Sequence, residues 1–158
     1  MKIKMLSVYS RILSFFLVLL GFTSCDEIDP KVEYGVPIAK FKVKGTIVDD
    51  DSDNPVAKIK TVLGQSYEID GKLYVHYIDS VLTNNEGKFE LKIEEFPASQ
   101  TFVLKIEDID GEQNGGAFET KIESVEFKNP NFTNGNGWYA GEAEKDMQTI
   151  KITPVKKD

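Results

Sequence analysis

From Lys40 onward the chain alternates, with Phe41, Val43, Gly45 and Ile47 on one parity and Lys40, Lys42, Lys44 and Thr46 on the other. A period of two sends successive side chains to opposite faces, so this stretch can bury one face and wet the other only as a half-buried β-strand. The same punctuation continues downstream. "DDDSDNP" breaks the first strand, and "VAKIKTVL" resumes as a second with Pro55 at its outer edge. "KLYVHYIDSVL" is a long strand, and "TNNEGKFELKI" reads as a hairpin, with Asn85-Glu86-Gly87 as the turn and Phe89, Leu91 and Ile93 as the buried face. Past Pro97, "TFVLKIEDI" turns Phe102, Leu104 and Ile106 inward. In "AFETKIESVEF" the inward parity slips between Ile122 and Val125, which predicts a bulge. "MQTIKITPV" closes the set with Ile150 and Ile152. About seven short strands, with no helix-period stretch after residue 24, predict an all-β protein: one antiparallel β-sandwich of Ig-like or transthyretin-like type over residues 40–155.

The start of the chain obeys a different rule. Residues 1–24 carry Lys2, Lys4 and Arg11 and no acid, then the apolar run "ILSFFLVLLGF" from Ile12 to Phe22, then Thr23 and Ser24. Basic, apolar and small segments in that order describe a secretory signal peptide, and 11 apolar residues fall short of the roughly 20 that a spanning helix needs. Cys25 follows directly and is the sole cysteine, so no internal disulfide can use it. A lone cysteine at this place resembles a bacterial lipobox, which implies lipidation at Cys25; Phe22 stands where that motif has Leu. Acylation would anchor the chain stably, because each buried CH₂ contributes about 0.8 kcal/mol. Residues 25–39, with Pro30, Gly35 and Pro37, read as a tether to the domain. The "DEIDP" after the cysteine resembles the export signal that sends Bacteroidetes-type lipoproteins to the outer face of the outer membrane. The expected address is thus the outer membrane, lipid-anchored and exposed at the cell surface.

Charge narrows the partners. Residues 1–24 hold three of the 19 basic residues and none of the 26 acids, so the remainder carries a formal charge of about −10. Such a surface repels nucleic acid, and the basic clusters that phosphate binding needs are missing.

Five stretches carry resemblances to two kinds of known family. "FKVKGTIVDDDSDNPVAKIKTVL" followed by "SVLTNNEGKFELKI" resembles the carboxypeptidase-regulatory and Cna-B type sandwiches, transthyretin-like modules that serve as stalks or accessory domains. "VEYGVP", "DIDGEQNGGAF" and "GNGWYAGEAEKDMQTIKITP" together resemble the radical-SAM-associated lipoproteins of Bacteroidetes. That likeness implies an exported lipoprotein encoded beside a radical SAM protein, with Cys25 as lipid acceptor and a radical SAM maturase as partner. The residues matching its two signatures are Asp108, Asp110, Gly111, Asn114, Gly115 and Gly116, then Gly137, Trp138, Tyr139 and Gly141.

Catalytic chemistry finds little to work with. The one histidine, His76, lies among Tyr74, Val75 and Tyr77 on a strand, where a structural role is expected over general-base work. Zinc lacks His and Cys ligands, no phosphate loop is present, and 26 acids make any one carboxylate pair uninformative. The expectation is a non-catalytic interaction or structural module.

Binding offers two candidate sites. Asp108, Asp110, Glu112 and Asn114, with Glu119, occupy EF-hand positions 1, 3, 5, 7 and 12, but Gln113 stands where the turn glycine belongs and the flanks are strands. A calcium-binding loop at the sandwich end competes there with a plain turn, in which Gly111, Gly115 and Gly116 supply positive φ. In "NFTNGNGWYAG", Trp138 and Tyr139 could stack on a glycan, or Trp138 could plug the end of the sandwich, the commoner fate of a lone Trp.

Overall fold

The computed structural model describes Leu13, Phe15 and residues 35–113 and 115–156, except the side chains of Glu68 and Leu73. The rest of the signal segment, Cys25 and the tether up to residue 34 lie outside the described residues. No described helix is long and apolar enough to cross a membrane. The chain divides into two units, Met1–Tyr34 and Gly35–Asp158, and the second holds every strand among the described residues.

Seven strands follow in chain order: β1 (Ile38–Asp49), β2 (Lys60–Ile69), β3 (Lys72–Leu82), β4 (Lys88–Glu95), β5 (Gln100–Glu107), β6 (Lys121–Phe127) and β7 (Tyr139–Ile152). They form a three-stranded sheet, β4-β1-β7, and a four-stranded sheet, β3-β2-β5-β6. The fold is the expected all-β sandwich. Every pairing is antiparallel except β1 with β7, which run parallel with Ile38 opposite Tyr139 and Asp49 opposite Ile152.

The alternating patterns decide which face goes inside. Phe41, Val43 and Ile47 of β1, Leu91 and Ile93 of β4, Phe102, Leu104 and Ile106 of β5, and Ile150 and Ile152 of β7 meet in one core. Phe41 sits at its centre, edge-on to Phe102, Phe127 and Phe132 at 5.3, 5.0 and 5.5 Å between ring centroids. Such T-shaped contacts contribute about 0.5–1.5 kcal/mol each beyond area burial. The polar parity of β1 faces outward and becomes a lysine row between two acidic strands. Lys40 lies 3.9 Å from Glu94 and 3.6 Å from Glu142, Lys42 binds Glu142, and Lys44 binds Glu144.

Three expectations need correction. "TNNEGKFELKI" does contain a turn, in which Gly87 N–H donates to the Asn84 carbonyl (2.9 Å), but its flanking strands belong to different sheets, so it is an arch and not a hairpin. Thr83 holds it: its hydroxyl donates to the Val56 carbonyl (2.7 Å) and accepts from Ile59 N–H (3.0 Å). The bulge expected in β6 is not there. Its ladder with β5 runs without a register shift, and Ile122 simply points outward at 61% exposure. The ladder irregularities fall between Leu63 and Gly64 of β2, and twice along β1–β7. Finally, β7 begins at Tyr139, well before the "MQTIKITPV" that periodicity marks, because Gly141 at φ 112° and the shift near Gln148 interrupt its alternation.

Candidate functional site

The two candidate sites lie at opposite ends of the sandwich. β1, β5 and β7 all run toward the end that carries the 49–55 turn and the 108–120 loop, and all start from the end where Trp138 sits.

At the first end, Asp108 is tied to its own loop. Its Oδ1 accepts from the backbone N–H groups of Asp110 and Gly111, both at 3.1 Å, and its Oδ2 accepts from Phe118 N–H at 3.0 Å. Gly111, Gly115 and Gly116 have φ of 66, 114 and 106°, as a tight connection requires. Phe118 then pairs with Pro154, and Glu119 N–H donates to the Thr153 carbonyl at 2.9 Å, which docks the loop on the end of β7. Among the described residues no three His, Cys, Asp or Glu side chains come together as a metal cluster. Asn114 lies outside the described residues.

The neighbouring turn uses the same device. Asp49 accepts from the Ser52 hydroxyl at 2.6 Å and from Asp51 N–H at 3.0 Å, and these bonds, the hydroxyl first, hold its carboxyl below the usual range.

At the other end, Thr133 and Glu142 exchange backbone bonds of 3.0 and 2.8 Å, as do Asn136 and Tyr139 at 2.8 and 3.2 Å. Residues 133–142 are therefore a small hairpin whose tip is Gly137-Trp138. Gly141 is required in it, because a Cβ there would meet the Thr133 carbonyl oxygen at 2.2 Å. Trp138 is 42% exposed and does not plug the sandwich. Its carbonyl accepts from Ile38 N–H at 3.0 Å, which ties the hairpin tip to the start of β1. Tyr139 is half-buried and its hydroxyl donates to Glu142 at 3.3 Å. Burial, with Glu142 adding to it, raises the tyrosine's pKa, while the Lys42 ammonium holds Glu142 below the usual carboxylate range. The hairpin escaped the strand reading, although "NGNG" is the composition of a tight turn.

His76 is exposed on β3, opposite Gln65, on the face it shares with Tyr74 and Ile78. Beside it Tyr77 covers Gly64, where a Cβ would lie 2.9 Å from the ring. The adjoining hollow of about 310 Å³ is lined by Lys60, Val62, Tyr77, Lys105 and Glu107, of which the last two pair at 3.0 Å.

No protein-family model matches the chain, and no curated protein does. Solved structures do resemble it. The C-terminal domain of the shaft pilin SpaA from Lactobacillus rhamnosus GG is 9% identical with a TM-score of 0.42, covering 73% of this chain and 98% of that domain. The 3-chlorocatechol 1,2-dioxygenase of Rhodococcus opacus 1CP is 12% identical with a TM-score of 0.46, covering 79% of this chain and 63% of its own. An (S)-allantoin synthase is 10% identical with a TM-score of 0.44, covering 76% of this chain and 44% of that one. This chain thus spans nearly all of the pilin domain but less than two thirds of either enzyme. At such identities the likeness concerns the sandwich fold alone.

Proposed function

We propose that this protein is an exported lipoprotein, held in the outer membrane through Cys25 and displayed at the cell surface, whose β-sandwich is a non-catalytic interaction or structural module. The observation that carries this reading is in the sequence: a basic, apolar and small-residue leader running into the chain's one cysteine. The sandwich supports it in kind. Asp108 and Asp49, at the end of the sandwich that carries the acidic loop, spend their oxygens on backbone and hydroxyl donors that shape turns. The exposed His76 neighbours no built cluster among the described residues. Resemblance to the radical-SAM-associated lipoproteins adds a maturase as partner, acting on a residue still to be located. A second reading, a glycan-binding accessory module, draws on the exposed ring of Trp138.

Mass spectrometry of the mature protein from its native host tests the main reading. The expected species begins at Cys25 and carries acyl chains, and Cys25→Ala leaves the membrane fraction. A mature chain that retains residues 1–24, or one without acyl mass, overturns the anchor. A mass explained fully by acylation removes the maturase.

A further inference from the structure

We infer that the end of the sandwich bearing Trp138 rests on the lipid surface to which Cys25 anchors the chain, so that the domain lies against a zwitterionic bilayer and does not stand away from it. This deepens the proposed function and rests on its anchor.

Exposed aromatic rings gather at that end, whereas the opposite end exposes the aliphatic Val81, Leu82, Ile109, Ile122 and Val155. Ile38 begins β1, Trp138 tips the 133–142 hairpin beside it, and Phe96 follows the last residue of β4. The β2–β3 hairpin adds the rest. Its ladder with β5 stops at Gln65–Phe102, yet β2 runs on to Ile69 and turns at Asp70-Gly71. Four further residues of β2 and their β3 partners therefore run on beyond that ladder. They carry Tyr67 and Tyr74, stacked at 5.9 Å between centroids, and Ile69, all exposed. Water-facing Trp, Tyr, Phe and Ile on one rim are costly unless something covers them, and amphipathic aromatic rings are what membrane interfaces favour.

The position of this rim selects lipid over another occupant. β1 starts there, and residues 26–37, twelve in number, separate Cys25 from Ile38. Fully extended, the thirteen steps from Cys25 to Ile38 reach at most about 47 Å, so an acylated Cys25 keeps the start of β1 within that reach of the headgroups. Charge agrees with the same orientation. The acidic turns at Asp49–Asp53 and Asp108–Glu112 lie at the opposite end, away from the membrane. Near the rim the charges are mixed, Asp70 with Lys72 at the hairpin tip and Glu94 with Lys40 at 3.9 Å, beside Glu95, which suits zwitterionic headgroups better than anionic ones.

Trp138 is the chain's one tryptophan and serves as the probe. Full-length mature protein, its acylation read by mass, is placed in phosphatidylcholine vesicles with and without brominated acyl chains. Trp138 emission shifts to shorter wavelength, loses most of its intensity to the brominated chains and is shielded from iodide. A second variant, Trp138→Phe with Ile109→Trp, puts the probe at the opposite, exposed end and stays iodide-accessible and blind to bromine. An acylated protein whose Trp138 ignores the brominated chains overturns the inference and leaves the anchor standing. So does shielding that arises only on adding oligosaccharide, which assigns the ring to a glycan. If the chain proves unacylated the anchor falls, and the same vesicles still decide: a bromine-sensitive Trp138 supports the lipid-seeking rim, and an insensitive one overturns it.

Discussion

At the scale of single residues, backbone geometry explains most of the conspicuous side chains. Asp108 is the clearest case, since one carboxylate organises a loop by accepting from Asp110, Gly111 and Phe118. Asp108→Ala leaves those N–H groups without partner and is expected to lower stability by about 2 kcal/mol in urea unfolding, whereas Asp108→Asn keeps one acceptor oxygen and costs about half as much. Calcium and chelator are expected to leave the wild-type melt unchanged; a melt that calcium raises and chelator lowers would instead assign the loop a calcium ion. The acids and glycines of "DIDGEQNGGAF" were visible in the sequence, but which donors Asp108 would meet was not. Phe118 N–H comes from ten residues away, after the loop has turned back on itself. Trp138 illustrates the converse. Its type argues for burial, and only the hairpin closed by Thr133 and Glu142 puts it outside.

At the scale of elements, period-two patterning located the strands that bury one face and misjudged those that do not. Phe41, Leu91, Leu104 and Ile152 lie where alternation placed them because each strand has one wet and one dry side. β6 is different. Ile122 faces outward and Val125 inward along an unbroken ladder, so an apolar residue on the wet face mimicked a bulge. Phe41→Ala is therefore expected to cost about 3–5 kcal/mol in denaturant unfolding, since it empties the centre of four packed rings. Ile122→Ser should change stability by no more than about 0.5 kcal/mol. A large loss for Ile122→Ser would mean that β6 buries the other parity. Sheet membership was the least legible feature, because it depends on the arch at Thr83–Gly87, and the same turn residues suit a hairpin.

At the scale of the whole molecule, the exposed face of the three-stranded sheet is a lattice of opposite charges. Glu142 is held below the usual carboxylate range first by Lys42, and Glu90 first by Lys92. A carboxylate whose folded pKa lies below its unfolded one contributes stability above the unfolded value and loses it as pH falls through the folded one. The melting temperature should thus hold from about pH 7 to pH 5 and decline below about pH 4. Lys42 and Lys44 are shifted upward by Glu142 and Glu144, so their contribution is intact below the usual lysine range and fades above it. Both arms should shrink in high salt, because the pairs are solvent-exposed; a pH profile indifferent to salt would assign the decline to other groups. The parallel match of β1 with β7 has a consequence for how the molecule comes into being. β1 is the middle strand of its sheet, and its second partner begins a hundred residues later, at Tyr139. A chain delivered from its first residue onward leaves one edge of β1 open until nearly all of it has emerged, so assembly is slow, non-local and completed late. During that wait Lys40, Lys42 and Lys44 line the open strand with like charge, which keeps two unfinished chains from pairing edge to edge.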